Sequence, residues 1–379
     1  CAVVGKLDDL ANRDQPPLWI DFQNRGNLLV LGSPATGKTT FLRTLIFSLV
    51  HQYSPDELNI FVLSFAGKSL GILKGFPQVG DIVMSGETEK FHRLLRHLNT
   101  ELEVRKNLMG IKGVDSVTEF NKLVPPGDRL ASIILMIDNF GELRDPEYLS
   151  ELDEIVKLLE NGRSAGIYLV CTFLQLGDIP HKVLNLVEQR ITFNLNDKSD
   201  YSYFVGRPNS IEFDSLPAGR GFRNGTPPMQ FQIATTLIEQ QVNEANASSV
   251  GSISEIMEQM QKEWGLRRSA PEILTLPNRI NLSTILPQSS DVINTVSSPL
   301  TLGLDGDTLG PFLLDWEKSP PHLLVAGPSQ SGRTSVLQTI ILSIANTYSP
   351  EEAVIVLVDG TQTSLRRLKR LNHVIDWVT

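Results

Sequence analysis

The residues with the most chemistry in this chain are Gly32, Ser33, Pro34, Ala35, Thr36, Gly37, Lys38, Thr39 and Thr40, which read GSPATGKTT. The first eight fill every fixed position of GxxxxGK[ST]. Glycines at those places let main-chain N–H groups close around phosphate oxygens, and a helix beginning just beyond aims its positive end at them. At this spacing Lys38 reaches the β- and γ-phosphates and Thr39 offers a hydroxyl to Mg²⁺. The chemistry is that of a nucleoside triphosphate, with ATP and Mg²⁺ as the expected cofactors.

A metal held by phosphates also needs a carboxylate. The run ILMID (134–138) ends on Asp138, an apolar strand delivering an acid, so Thr39 and Asp138 are the expected Mg²⁺ ligands. A hydrolysing site needs a base to accept a proton from water. The next residue is Asn139, and an amide cannot take that proton. Glu142, four residues past Asp138, is the candidate substitute if the chain turns back, so no catalytic residue is assigned firmly. A second loop, GPSQSGRTS (327–335), repeats the pattern as Gly327, Gly332, Arg333, Thr334 and Ser335. Arginine replaces lysine there. Its planar fork is bulkier than an ammonium, so a degenerate site with weak, altered or absent nucleotide binding is expected.

The elements that position these groups are readable from the pattern. NLLVL before the first loop reads as a strand and TFLRTLIFSLVHQ after it as a helix. LNIFVLS (58–64), ASIILMIDNF (131–140), GIYLVCTF (166–173) and RITFNLN (190–196) read as further strands, with Arg190 opening one at the sheet's edge. Their near-continuous apolar character suits strands covered on both faces. A long helix is expected over 87–110, ending at Gly110, and another over YLSELDEIVKLLENG, stopped by Gly162. Strands alternating with helices predict an α/β fold with a mostly parallel central sheet flanked by helices. GRGFRNG (219–225) reads as a hairpin-like turn cluster with no chemistry attached.

The device occurs twice because the domain does. Gly32 and Gly327 lie 295 residues apart, and TLIFSLVHQYSPDELNIFVLS (44–64) matches TIILSIANTYSPEEAVIVLVD (339–359) at the same offset. PPLWID (16–21) resembles GPFLLD (310–315) with a one-residue slip. The expected organisation is a first module over 1–235, a linker over 236–297 with a helix in VGSISEIMEQMQKEW started by Ser252, and the N-terminal part of a second module over 298–379. The second copy stops before any counterpart of IILMIDNF. Its sheet is therefore expected to be incomplete.

Composition narrows the classes. The chain has 379 residues, 41% hydrophobic and 20% charged, the balance of a globular protein. A net charge of −9 argues against a broadly cationic coat for nucleic acid. The basic residues Arg93, Arg96, Arg105 and Lys106 alternate with Glu87, Glu89, Glu101 and Glu103, which reads as a solvated helix face. Of two cysteines, Cys1 and Cys171, the latter sits in an apolar run and is expected to be a buried free thiol. No Cys/His cluster has zinc spacing. No apolar run approaches the length of a membrane span and no signal peptide is evident, so a soluble piece of a longer protein is expected.

GKLDDLANRDQPPLWIDF, GNLLVLGSPATGKTTFLRTLIFSL, ILMIDNF, GRSAGIYLVCTF, RITFNLNDKSDYSYFVGRP and LPAGRGFRNGTPPMQFQIA resemble successive blocks of the FtsK/SpoIIIE-type ATPases. They are most similar to the second, and the start of the third, C-terminal ATPase modules of the EccC/EssC proteins of type VII (ESX) secretion. The resemblance covers 1–235 and 298–379. It implies tandem P-loop NTPase (RecA-like) domains on the cytoplasmic side of the bacterial cell membrane. Implied partners are neighbouring ATPase modules, a membrane secretion complex, and secreted Esx (WXG-type) substrates docked by the C-terminal module. A hexamer is the candidate assembly, and no nucleic acid is expected. Arg163 and Arg190 are, by resemblance, candidates for an inter-module role at a neighbour's γ-phosphate; a helix C-terminal cation and a strand-surface arginine are the plainer readings. The sequence departs from active members at Asn139, where Glu is usual, at Phe173, where a polar Gln sensor is usual (Gln175 lies two further on), and at Ser64, where Asp is frequent. These departures imply ATP binding with little or no hydrolysis, in a supporting or regulatory role. The rival readings are a double-stranded DNA translocase and a scaffold with relic sites.

Overall fold

The computed structural model describes residues 1–9, 11–207, 216–235, 253–264, 269–286, 299–306, 308–315, 322–360 and 365–378. The chain divides into two compact units, Cys1–Ile273 and Leu274–Thr379.

The first unit runs β1 (Ala2–Asp8), β2 (Pro17–Ile20), α1 (Phe22–Arg25), β3 (Leu28–Leu31), α2 (Lys38–Gln52), β4 (Leu58–Ser64), β5 (Val79–Met84), α3 (Thr88–Lys112), α4 (Val117–Leu123), β6 (Ser132–Asp138), α5 (Leu149–Asn161), β7 (Ile167–Phe173), α6 (His181–Leu186), β8 (Gln189–Thr192), α7 (Lys198–Phe204), β9 (Arg220–Arg223), β10 (Met229–Ile233) and α8 (Ile253–Trp264). The strands form one ten-stranded sheet in the order β2-β1-β10-β9-β8-β3-β7-β6-β4-β5. From β8 to β5 every pairing is parallel, and from β8 to β2 every pairing is antiparallel.

Burial explains the continuous apolar runs. All four residues of β3 and all seven of β7 are buried. Alternate residues face opposite sides of the sheet. Leu29, Leu31, Ile137, Leu169 and Cys171 join α3 and α5 in one core. Leu28, Val30, Met136 and Val170 join Phe41, Leu45 and Leu49 of α2 in the other. Cys171 is free and fully buried, and burial pushes its thiol far above the ordinary range.

Two expectations need correcting. The long helix does not end at Gly110. It continues to Lys112, and Gly113, at φ 66°, caps it with its N–H on the carbonyls of Gly110 and Met109. Gly110 lies on an open face where a Cβ would touch nothing, so nothing there required glycine. Arg190 does not lie at a sheet edge, because β8 is an interior strand between β3 and β9.

Helix α8 packs on the first unit. Met260 is buried in the α2-side core, with Ile256, Met257 and Trp264 packed against it. The Met257 methyl occupies the space a Cβ on Gly75 would need, at 1.6 Å. Ser252, its expected start signal, lies outside the described residues.

In the second unit α9 (Leu282–Ile285), β11 (Leu300–Leu304), β12 (Pro311–Leu314), α10 (Arg333–Thr347), β13 (Ile355–Val358) and β14 (Val374–Val378) are described. The strands form two separate pairs, β11 with β12 antiparallel and β13 with β14 parallel. HLLVA (322–326), the counterpart of β3, forms no strand, and Leu324 is 90% exposed. In the first unit β3 lies between β7 and β8; among the described residues no strand pairs with 322–326. Among the described residues no helix is long and apolar enough to cross a membrane.

Candidate functional site

The first Gly-rich loop joins the C-terminal end of β3 to α2. It turns through Ala35 at φ 60° and Gly37 at φ 116°, so α2 starts from a left-handed residue. Side-chain and main-chain contacts tie the loop to both flanking strands. The Gly32 N–H donates to the Phe173 carbonyl at 3.2 Å and the Ser33 N–H to the Asn194 carbonyl at 2.9 Å. Thr36 Oγ1 donates to the Ser33 carbonyl at 2.8 Å. Lys38 is buried, and its Nζ donates to the carbonyls of Gly32 at 2.6 Å and Ser33 at 2.8 Å. Its ammonium thus lies inside the loop, held by two main-chain carbonyls.

Asp138 ends β6 one strand from β7. Its Oδ2 accepts from Thr39 Oγ1 at 3.2 Å and its Oδ1 from Thr172 Oγ1 at 2.8 Å. Burial pushes the Asp138 carboxyl up, offset in part by Thr172, Thr39 and the Lys38 charge. Burial likewise pushes the Lys38 ammonium down, with Asp138 opposing. Both charged groups are under-solvated in the protein alone, a condition a cation and an anionic ligand relieve. The donor set fits Mg²⁺. One carboxylate and one hydroxyl are a sufficient protein contribution for an ion that keeps waters and takes phosphate oxygens. Among the described residues no group of three or more His, Cys, Asp or Glu could hold a metal by itself.

Asn139 has a left-handed backbone, φ 66°, and its N–H donates to Thr172 Oγ1 at 2.8 Å. Its Nδ2 donates to Glu142 Oε1 at 2.9 Å, and its buried Oδ1 has no protein partner. The chain does turn back after Asp138, so Glu142 comes close, but as an exposed group paired with the amide. Phe173 is buried against Phe140, ring centroids 5.1 Å apart. Gln175 instead closes a local turn, its Nε2 donating to Asp178 Oδ1 at 3.0 Å. Ser64 is buried and donates to the Gly67 carbonyl at 2.8 Å.

Two participants went unread in the sequence. Thr172 bridges Asp138 and Asn139, and only pairing of β7 with β6 puts it there. Gly219 is the other. Its N–H donates to the Thr36 carbonyl at 2.9 Å, and a Cβ on Gly37 would meet Gly219 N at 3.0 Å. Gly219 therefore braces the loop, and the expected turn cluster 219–225 is corrected: Arg220–Arg223 form β9, a strand inside the sheet between β10 and β8. Its signal was glycine at φ 79°, but the partner lay about 180 residues away.

The arginines are placed as follows. Arg163 lies just after α5, near the N-terminal end of β7, and its Nη2 donates to the Asn24 carbonyl at 2.6 Å. Arg190 is held by the Leu184 carbonyl at 2.6 Å and the Val187 carbonyl at 3.1 Å, its guanidinium over the Phe204 ring. Neither contacts the loop. On α3, Arg93 pairs with Glu89 and Lys106 with Glu103. Arg105 departs from a solvated face: it is buried, donating to Glu101 at 3.1 Å and to the Ala165 carbonyl at 2.9 Å.

In the second unit the loop keeps the same backbone, with Gln330 at φ 64° and Gly332 at φ 93° ahead of α10. Gly327, Arg333, Thr334 and Ser335 occupy places equivalent to Gly32, Lys38, Thr39 and Thr40. The surroundings are exposed, and no carboxylate strand accompanies them among the described residues.

The large sheet is mixed: the expected mostly parallel arrangement holds from β8 to β5 and gives way to antiparallel pairing beyond β8. Such a sheet flanked by helices, with a glycine-rich loop between a strand and a helix, defines a P-loop NTPase domain. The family model described as "FtsK/SpoIIIE family" matches residues 10–210 and 288–379, and the chain belongs to that family. The ESX secretion system protein EccC of Thermomonospora curvata is 27% identical over 370 residues, covering 96% of this chain and 27% of that protein. The chain thus spans about a quarter of the length of this relative. A solved structure of the same organism's EccC (ATPases 2 and 3), in complex with a signal sequence peptide, superposes with a TM-score of 0.70 at 27% identity, over all of this chain and 66% of that one. EssC (ATPases 2 and 3) from Geobacillus thermodenitrificans superposes with a TM-score of 0.83 at 23% identity, over 98% of this chain and 68% of that one, which supports the fold.

Proposed function

We propose that the first loop binds Mg·ATP and holds it with little or no turnover, and that the chain is the second and part of the third ATPase module of a type VII secretion ATPase, supporting or regulating export of Esx (WXG-type) proteins. The observation that carries this reading is the pairing of Thr39 with Asp138 at 3.2 Å, next to a buried Lys38, in a site where Asn139 rather than a carboxylate follows Asp138. Lys38 and the loop N–H groups would hold the phosphates, and Thr39 and Asp138 would hold Mg²⁺, which neutralises phosphate charge when bound. Asn139 accepts no proton, and Glu142 is engaged by it. The likeness to EccC, whose solved structure carries a signal sequence peptide, supports peptide docking by the C-terminal module. On this reading the protein works on the cytoplasmic side of the bacterial cell membrane beside neighbouring modules, with Arg163 and Arg190 as inter-module candidates and a hexamer as candidate assembly.

The test is to quantify nucleotide in the purified protein and follow a single turnover of added ATP with Mg²⁺. About one retained, unhydrolysed ATP per chain, lost in Lys38→Ala, supports the reading. Asn139→Glu then raises turnover by about a hundredfold, the scale of a placed general base. Steady phosphate release by the unaltered protein would refute the holding role. Release stimulated by long duplex DNA at low salt, where non-specific binding is strongest, would favour a translocase.

A further inference from the structure

We propose that Thr172 is the positioning residue of the metal site, an inference that rests on the Mg·ATP reading above. Its hydroxyl is fully buried and makes two hydrogen bonds with defined directions. It donates to Asp138 Oδ1 at 2.8 Å and accepts from the Asn139 N–H at 2.8 Å. A hydroxyl has one proton, so donating it to Asp138 fixes the rotor and leaves a lone pair for the N–H.

The consequences are geometric. Each oxygen accepts one hydrogen bond, and because Thr172 takes Oδ1, Oδ2 is the oxygen turned toward Thr39, the other expected ligand of the cation. The carboxylate plane is set by a residue on a different strand and does not depend on the metal. The bond to the Asn139 N–H also holds the chain in its left-handed turn directly after the acid, φ 66°. Asparagine tolerates that conformation better than most residues, yet it still needs support. Thr172 supplies it, tying the direction of the acid to the direction of the residue that follows. Valine has the same shape without the hydroxyl. It would leave Oδ1 and the Asn139 N–H unpaired in a buried place and free the carboxylate to rotate.

The experiment compares the whole chain with Thr172→Val and Thr172→Ser. Binding of a fluorescent ATP analogue is measured against Mg²⁺ concentration and again in EDTA, alongside thermal melting. Loss of an outer partner of a metal ligand typically costs ten- to a hundredfold in metal affinity. Thr172→Val is expected to raise the Mg²⁺ concentration for half-maximal binding by about tenfold or more, with binding in EDTA changed less than about twofold. Thr172→Ser, which keeps the hydroxyl, is expected to return the Mg²⁺ midpoint to within about threefold of the unaltered protein. Equal losses with Mg²⁺ and in EDTA, or a lowered melting temperature with an unchanged Mg²⁺ midpoint, would show a purely structural threonine and overturn the proposal. If the unaltered protein binds no nucleotide, the Mg·ATP reading falls and this one with it. If it binds with Mg²⁺ dependence and Thr172→Val does not alter that dependence, only this one falls.

Discussion

Asp138 costs the ligand-free protein stability at the position where the site proposed above would hold Mg²⁺. Burial raises its carboxyl pKa above the usual value near 3.8. A raised folded pKa means the folded state prefers the proton. Its contribution to stability is full below the unfolded value and is lost as pH rises through the folded one. At neutral pH the ionised Asp138 therefore opposes folding of the ligand-free protein. Asp138→Asn is expected to raise the melting temperature of nucleotide-free protein at pH 7, with the gain shrinking as pH falls toward 4, while the Mg²⁺ dependence of nucleotide binding disappears. Melting curves across that pH range, with and without Mg·ATP, check both halves. At this scale the sequence was informative where spacing is local. The loop from Gly32 to Thr39 is encoded in eight consecutive residues, and the second copy adopts the same positive-φ turn at Gln330 and Gly332 without the strand neighbours of β3. Thr172 and Gly219 were illegible because their partners are set by strand pairing and not by spacing.

Among elements, α8 carries the clearest consequence of a small residue. Gly75 leaves room for the Met257 methyl, and its carbonyl accepts from Gln261 Nε2 at 3.2 Å. Lys74 beside it pairs with Glu272 at 2.8 Å. A bulky residue at position 75 must displace Met257, and overpacking of this kind typically costs about 1–3 kcal/mol. Gly75→Leu is expected to speed hydrogen exchange over residues 253–264 and to leave nucleotide affinity within about twofold; hydrogen-exchange mass spectrometry with a binding titration measures both. The periodicity of α8 was readable, but its seat was not, since Gly75 gives no sign of what approaches it. The error at the end of α3 has a similar origin. Gly110 and Gly113 are both plausible stops, and only the left-handed backbone at Gly113 separates them. Interior placement of β8 was likewise hidden, because the strands that extend the sheet past it, β9 and β10, follow it in sequence and β1 and β2 precede it.

For the molecule as a whole, the two units differ in how completely their loops are surrounded. The first loop is backed by ten strands and two cores. Among the described residues the second unit shows one small cluster around Ile341, Leu357 and Leu365. Ligand at a hundred times its Kd stabilises the state that binds it by about 2.7 kcal/mol. Calorimetry of the full chain is expected to show Mg·ATP raising the transition of residues 1–273 by a few degrees, as such an increment does for a domain of this size, and no shift in Lys38→Ala. The aromatic pair of Phe140 and Phe173 then sets what kind of memory such a site provides. Phe173 hands its carbonyl to Gly32 and its ring to Phe140, so the last residue of β7, beside the Gly-rich loop, offers no polar side chain to change partners. Close-packed rings resist displacement where a hydrogen-bonding group would switch. If the loop holds nucleotide as proposed above, occupancy would be stored as added rigidity at this strand end and not broadcast as movement, which is the behaviour of a latch.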